Sequence, residues 1–370
     1  MTSNLIDIAY FVSEKINIEE LNDLNYISTE NMLPDKGGIT KSSGLPNTNY
    51  TQGFSEGDIL LSNIRPYFKK IWYATFNGGC SNDVLVLRAK SNVCPKFLYY
   101  VLSDDKFFEY DTATSKGTKM PRGDKVAIMK YGAPKYDLPK QEKIAHILSS
   151  LDNKIELNNK INQNLEQQAQ AIFKSWFVDF EPFGGKMPED WEEKTLDEFC
   201  NIFTGKKNAN QSDENGKNLF FTCGPTPLKI NSFIHDGPAV IIAGNGAYTG
   251  RTRFYNGKFD LYQRTYACTL KKDVNVDYIY LLYIIIKSVL QEKIMGGTHG
   301  SAIPYIVMND IAKFKLDYNK NVFDKLSKII KSFVCIIQKN NNENEKLKQL
   351  RDTLLPKLMN GEIDVDRVEV

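Results

Sequence analysis

Residues 144–177 read IAHILSSLDNKIELNNKINQNLEQQAQAIFKSWF, and the spacing within them decides the fold. Taking every fourth and third residue in turn gives Ile144, Leu148, Leu151, Ile155, Asn158, Asn162, Leu165, Ala169, Ile172 and Trp176. An alternation that never slips over so many turns is the seam of a coiled coil rather than the apolar face of a surface helix. Neither proline nor glycine interrupts the run, and its off-seam positions are rich in Glu, Lys and Gln, which favour helix. At ~1.5 Å per residue such a rod extends roughly 50 Å.

The device recurs 182 residues later, on Leu326, Ile330, Phe333, Ile337, Asn340, Asn344, Leu347, Arg351, Leu354 and Leu358. A seam asparagine costs stability but fixes register, because its amide requires a polar group across the interface. Each seam has its midpoint between its two asparagines. Antiparallel pairing therefore sets Asn158 against Asn344 and Asn162 against Asn340. Parallel pairing matches asparagines as well. Connectivity separates the two: residues 178–325 must join the end of the first rod to the start of the second, which is easy when those ends are neighbours. The expectation is antiparallel.

The rods divide the chain into a globular segment 1–139, a helix 140–178, a second globular segment 179–321, a second helix 322–360 and a polar tail 361–370. Gly57–Ser62 and Asp83–Leu87 read as strands and Lys96–Leu102 as a short helix, followed by a loop at Ser115–Arg122 and more strand. The second segment keeps that order, with strands at Gly237–Ile242 and Tyr266–Leu270, a helix at Asp277–Tyr283 and a loop at Gly296–Pro304. The expected class is α+β: two similar mixed α/β domains and two long helices in an antiparallel coiled coil, a pseudo-twofold internal repeat.

Composition removes several function classes. The 370 residues are 42% hydrophobic and 25% charged, ordinary for a globular chain with ample core. Six scattered cysteines without a C-x-x-C, and three histidines, argue against zinc and against a disulfide framework. The apolar run Tyr278–Ile286 is too short to span a membrane, and the N-terminus lacks the pattern of a signal peptide, so a cytoplasmic protein without a membrane partner is expected. A formal charge of +2 neither supports nor excludes nucleic acid; local patches carry that question.

Catalytic patterns are absent. An amino-methyltransferase needs an [ND]-P-P-[YFW] loop, and the nearest string, Ile64-Arg65-Pro66-Tyr67, lacks the acceptor and the first proline. No phosphate-binding G-x-x-x-x-G-K-[ST] occurs. Gly244-x-Gly246-x-x-x-Gly250 precedes an alternating, strand-like Arg251–Tyr255, whereas a dinucleotide site needs a helix there. His146 lies beside the seam, and His235 and His299 have no visible acid or nucleophile partner.

Basic and amide-bearing loops remain. Lys116, Thr118, Lys119, Arg122 and Lys125 cluster around Gly117: backbone amides and lysines suit phosphates, and Arg122 suits a guanine edge. Lys206, Lys207, Asn208, Asn210 and Gln211 combine phosphate and adenine partners. Asn245, Tyr248, Arg251 and Arg253 form a third group, and Lys41, Arg65, Tyr67, Lys69 and Lys70 a fourth. His299 and Ser301 lie in the loop that parallels Lys116. Solvated surface loops have the same composition, so chemistry alone leaves both readings open.

The stretch QEKIAHILSSLDNKIELNNKINQNLEQQAQAIFKSWFVDFEPF, with MPEDWEEKTLDEF after it and LRDTLLPKLMNGEIDV at the end, closely resembles the specificity subunit of type I restriction–modification systems. The resemblance covers nearly the whole chain as an architecture, its specific motifs lying in the helices and their flanks. It implies a non-catalytic protein in which each globular segment is a target recognition domain reading one half of a split, asymmetric sequence in double-stranded DNA. The helices hold the halves apart and seat two adenine methyltransferase subunits, which restriction–translocase subunits join. S-adenosylmethionine, ATP and magnesium then belong to the partners, with no cofactor on this chain. The competing readings are a non-catalytic coiled-coil scaffold that binds proteins, and a fused modification enzyme, which the missing catalytic motifs oppose.

Overall fold

The computed structural model describes residues 2–296 and 305–365. In chain order the first part comprises β1 (Thr2–Asn4), α1 (Leu5–Ile8), β2 (Ala9–Phe11), β3 (Lys15–Asn17), β4 (Tyr26–Ile27), β5 (Tyr50–Phe54), β6 (Ile59–Ser62), β7 (Ile71–Tyr73), β8 (Gly78–Cys80) and β9 (Val84–Ala89). Then follow α2 (Pro95–Ser103), α3 (Asp105–Thr114), α4 (Lys125–Met129), β10 (Gly132–Pro134) and the long α5 (Leu138–Phe177). The second part comprises β11 (Glu192–Thr195), α6 (Leu196–Phe199), β12 (Cys200–Thr204), β13 (Asn218–Phe221), β14 (Leu228–Ile230), β15 (His235–Ala243), β16 (Thr252–Leu261) and β17 (Thr265–Leu270). It closes with α7 (Tyr278–Gly296), α8 (Met308–Ala312), β18 (Lys315–Tyr318) and the long α9 (Lys320–Met359).

These elements pack as two compact units, Met1–Leu157 with Glu343–Val370, and Asn158–Asn342. Each long helix thus lends one half to each unit. In the first unit, β2-β9-β6-β7 form an antiparallel sheet, and β3-β5-β8-β4 a mixed one in which β4 runs parallel to β8. The first sheet is covered on both faces, which is why Ile59-Leu60-Leu61 and Val84–Leu87 are continuous apolar runs rather than alternating ones. Ile59, Leu61, Leu85 and Leu87 pack with Phe97 and Leu98 of α2, Ile144 and Leu148 of α5, and Leu355 and Leu358 of α9. Leu60, Val84 and Val86 face the other way, against Ile27 and Phe54. Val365 of the tail is buried in the α2 core as well.

The second unit repeats the plan. Its strands run β12-β17-β15-β16, the order and antiparallel sense of β2-β9-β6-β7, with β13 and β14 added at one edge. In both units a two-stranded ribbon (β1 with β10, β11 with β18) encloses the sheet elements in sequence. A one-turn helix precedes the first sheet strand in each, started by a carboxylate accepting from the N-cap amide: Asn4 N to Asp7 at 2.9 Å, Thr195 N to Glu198 at 2.8 Å. α7 lays Ile279, Leu282 and Ile286 against Val240 and Ile242 as α2 does in the first unit.

Differences from the sequence reading are local. The strand expected after Arg122 is β10, but a short helix, α4, comes before it, because Asp124 caps Val126 N at 2.9 Å and starts a turn. α3 follows α2 with only Asp104 between them, and α5 begins at Leu138, with Pro139 in the first turn, where its missing N–H is no loss. No helix among the described residues is long and apolar enough to cross a membrane.

The seam follows the predicted alternation: none of its positions on α5 or α9 is exposed. Pairing is antiparallel in each unit. In the first, Arg351 meets Asp152 at 2.7 Å and Lys154 meets Glu343 at 3.6 Å. In the second, Asn340 Nδ2 donates to Asn162 Oδ1 at 2.9 Å, and Phe177 stacks edge-on to Phe323 at 5.9 Å. Asn162 in turn donates to Asn341 Oδ1 at 2.9 Å, a partner the heptad count did not name. Asn158 and Asn344 are buried too. Replacing all four seam asparagines by leucine should stabilise the fold by about 1–4 kcal/mol, as when buried polar clusters give way to packed apolar side chains. It should also loosen register, giving a mixed population by light scattering. A large loss of thermal stability with register unchanged would refute the seam assignment.

Candidate nucleic-acid interface

In the first unit three loops, far apart in sequence, meet at the end of β6. The loop after β6 bonds to the Lys116–Arg122 loop through the bridge Ile64↔Arg122, with Arg65 N donating to Pro121 O at 2.8 Å and Gly123 N to Asn63 O at 3.1 Å. Lys116 and Arg122 close the second loop on itself by exchanging backbone hydrogen bonds of 2.8 and 2.9 Å. A third loop joins through Asp35 N to Phe68 O and Lys36 N to Lys69 O, each 2.9 Å. Parts of two sequence-derived groups, Lys116–Arg122 and Arg65–Lys69, therefore form one surface.

Its backbone is unusual. Of five non-glycine residues with positive φ among those described, Asp35, Lys36, Arg65 and Lys69 lie here, at φ of 54°, 60°, 51° and 50°. Such conformations each cost of order 1–3 kcal/mol and gather at functional loops, where surrounding structure holds them. Tyr67 and Phe68 stand out from the same turn, 48% and 39% exposed, with ring centroids 4.8 Å apart. Exposed aromatic faces beside cations suit base or sugar stacking.

The charges are held in weak surface pairs. Arg122 reaches Asp83 at 2.9 Å, Lys36 and Lys69 share Asp105 at 2.8 and 3.0 Å, and Lys116 pairs with Asp124. Lys116 and the N–H groups of Ala127 and Val126 hold the Asp124 carboxyl below the usual carboxylate range. The Arg122–Asp83 pair is exposed on both sides and worth ~0–1 kcal/mol, so a phosphate or base can displace it cheaply. Lys70 donates to Thr29 O at 2.6 Å, which holds the turn rather than reaching outward. Lys41 pairs with Asp23 at 2.8 Å, and Lys125 lies over the Phe11 ring at 5.7 Å, so neither belongs to the cluster. Thr118 and Lys119 are exposed on the loop tip. Lys36 is a member that sequence reading missed: only the third loop's return to Phe68 and Lys69 places it.

The second unit has an equivalent arrangement. The loop after β15 bonds to the segment before α8 through Asn245↔Tyr305, as Ile64 does to Arg122, and Ile306 N donates to Gly244 O at 2.8 Å. Around the Tyr262–Arg264 turn the other two groups come together. Lys207 bridges Tyr262, and Gln263 donates from its side chain to Asn208 Oδ1 at 3.0 Å. Gly244 N donates to Arg264 O at 2.9 Å, and Arg253 donates to Gly224 O at 3.2 Å. Arg251 stacks on Tyr248 with its guanidinium 3.9 Å from the ring centroid. Asn208 and Gln211 are partly committed to each other, Asn208 N donating to Gln211 Oε1 at 2.8 Å, while Lys206 lies on the loop leading to them and Asn210 is exposed on the same turn. Gly205 seats this loop: a Cβ there would lie 1.7 Å from Leu261 O. Gln263 and Arg264, both exposed, were not singled out from the sequence, because only the meeting of β12, β15 and the β16–β17 turn brings them in. His299 and Ser301 lie outside the described residues. Gly244–Gly250 is a turn entering the strand β16 rather than a helix.

Two copies of one domain, each with a bridged loop after its central strand, fit a known family. The type I restriction modification DNA specificity domain matches residues 5–167 and again residues 188–350. The chain belongs to that family. Among its relatives, the MjaIX type I restriction enzyme specificity subunit of Methanocaldococcus jannaschii is 26% identical over 353 residues, 85% of this chain and 79% of the relative. The EcoDI specificity subunit of Escherichia coli is 32% identical over 184 residues, 48% of this chain and 40% of that one. The crystal structure of a type I S subunit from M. genitalium superposes with a TM-score of 0.61 at 18% identity, covering 97% of this chain and 96% of that chain. That likeness concerns the fold. Membership and the duplicated domain give this chain the role of a DNA specificity subunit.

Proposed function

We propose that this chain reads a bipartite, asymmetric sequence in double-stranded DNA, one half with each globular domain, and directs adenine methylation and restriction carried out by other subunits. The observation that carries the reading is the recurrence, in both units, of a loop after the central strand bridged to a second loop: Ile64 to Arg122, and Asn245 to Tyr305. In this reading the first half-site meets Arg65, Tyr67, Lys69, Lys116, Thr118, Lys119 and Arg122. The second meets Lys206, Lys207, Asn208, Gln211, Asn245, Tyr248, Arg251 and Arg253. Two adenine methyltransferase subunits and restriction–translocase subunits are the partners, acting in the cytoplasm. S-adenosylmethionine, ATP and magnesium belong to them. The chain itself supplies no catalytic group.

The test separates phosphate from base contacts. Lys119→Ala should weaken binding to all duplexes alike and lower the salt dependence by about one phosphate contact, whereas Arg122→Ala should cost ~1–3 kcal/mol at one base position and relax specificity there. Releasing Arg122 from Asp83 takes little from that gain. Competition binding against single-base variants of the methylated target reads both effects. Equal losses on every sequence for both variants would remove Arg122 as a base reader. The purified chain should leave DNA unmethylated with S-adenosylmethionine and gain methylation with its methyltransferase partner. Turnover by the chain alone would overturn the non-enzyme reading.

A further inference from the structure

The two loops bridged in the first unit meet over a carboxyl group that lacks a counterpart. Asp111, on α3, is 1% exposed, and neither of its carboxyl oxygens has a hydrogen-bond partner. Asn63 Oδ1 is buried and has none either. The two acceptors sit under one residue: a Cβ built on Gly123 would lie 2.6 Å from Asp111 Oδ1 and 3.1 Å from Asn63 Oδ1. Gly123 follows Arg122, and its N–H holds Asn63 O at 3.1 Å. This contact is therefore part of the joint between the two loops.

No charge balances the carboxyl. On the elements packed around it, Lys69 is engaged by Asp105, Lys116 by Asp124 and Arg122 by Asp83, and Lys125 lies over Phe11. Arg65 makes no ion pair with Asp111 among the described residues, and its buried Nε has no partner of its own. A buried carboxylate facing another acceptor costs far more than a neutral acid, which can use its proton.

We propose that Asp111 stands as a neutral carboxylic acid whose O–H donates to Asn63 Oδ1, and that it is a positioning residue for the loops carrying Arg65 and Arg122. The proposal rests on those loops contacting DNA. Burial pushes the Asp111 carboxyl up to about 7, and a bond made by its neutral form acts in the same direction. The folded state thus keeps a proton that the unfolded chain loses near pH 4. Asp111's contribution to stability declines as pH rises from about 4 and is lost above about 7, where ionisation sets two acceptors against each other and loosens the joint.

The full chain is titrated in two ways: thermal unfolding without DNA between pH 4 and 9, and affinity for a duplex carrying its methylated target at fixed salt between pH 6 and 9. Asp111→Asn, whose amide can donate to Asn63 Oδ1, should match the wild type in unfolding near pH 4 and in affinity at pH 6, and stay flat in both measurements as the wild type falls away. The wild type should lose about tenfold in affinity over the range, as expected when a proton held with one unit of preference is given up. Asp111→Ala should bind weakly throughout. If Asp111→Asn falls as far as Asp111→Ala, the native group is an anion accepting from the Asn63 amide and the proposal fails. If the wild type and Asp111→Asn unfold identically at every pH, the neutral acid fails. If unfolding separates them while DNA affinity does not, the positioning role fails. Absence of DNA binding by every form would remove the proposed function and the positioning role together, with the unfolding curves still deciding the protonation state.

Discussion

Exchanging residues 179–321 for the corresponding segment of another specificity subunit should change one half of the methylated target and leave the other half intact. The second-domain groups Lys206–Gln211 and Asn245–Arg253, together with the turn that joins them, all lie within Asn158–Asn342. The loops bearing Arg65 and Arg122 lie within the other unit. Each mismatched base pair costs ~1–3 kcal/mol, so a half-site of a few pairs separates the new target from the old by on the order of a thousandfold. Sequencing of methylated sites reads the outcome directly. An exchange that altered both halves would mean that the domains read DNA jointly, and the assignment of one half to each would be lost.

Arg88→Ala should be strongly destabilising. Arg88 donates to Asp58 through Nε at 2.7 Å and Nη2 at 2.8 Å, and to Glu14 through Nη1 at 2.7 Å. Asp58 is 1% exposed and also accepts from Ser55 N at 2.8 Å, so it ties the turn before β6 to the neighbouring strand. Removing the guanidinium leaves a buried carboxylate with no countercharge, a loss of ~3–5 kcal/mol. For a unit of this size that is a fall in unfolding temperature of about 10 °C. Arg88→Lys keeps the charge without the two-pronged geometry and should fall between. A change below about 1 kcal/mol would show that Asp58 is not held by Arg88 in the way described.

What the chain discloses before folding depends on whether a signal is local. The rods were legible because every seam contact repeats on one strip of one helix, and burial follows the strip from Ile144 to Trp176 without an exposed position. The strands Ile59–Ser62 and Val84–Ala89 were legible as apolar runs because their sheet is covered on both faces. The β3-β5-β8-β4 sheet was not. Its strands are short, and β8 carries Gly78 and Gly79, where a Cβ would lie 2.2 Å from Asn25 O and 2.5 Å from Leu21. Close backbone approach required glycine there, at the expense of the usual strand composition. The recognition groups were legible as residue types but not as a surface. Arg65 joins Arg122, Lys36 joins Lys69, and Asn208 joins Gln263, all through contacts between distant segments. The positive φ angles at Asp35, Lys36, Arg65 and Lys69 have no glycine to announce them.

The closing of the first core by α9 has a consequence in time. Tyr136 donates to Leu358 O, 222 residues ahead of it, and Leu355, Leu358 and Val365 complete the apolar layer over β6 and β9. A ribosome adding ~5–20 residues per second leaves that layer open for roughly 10–45 s after Tyr136 has emerged. The first domain to be synthesised is therefore among the last to be finished. A nascent or prematurely terminated chain lacks Leu355, Leu358 and Val365 of that layer, and apolar surface left open is what chaperones and proteases sort on. The apolar layer of the first unit is complete only when the last turns of α9 have been translated.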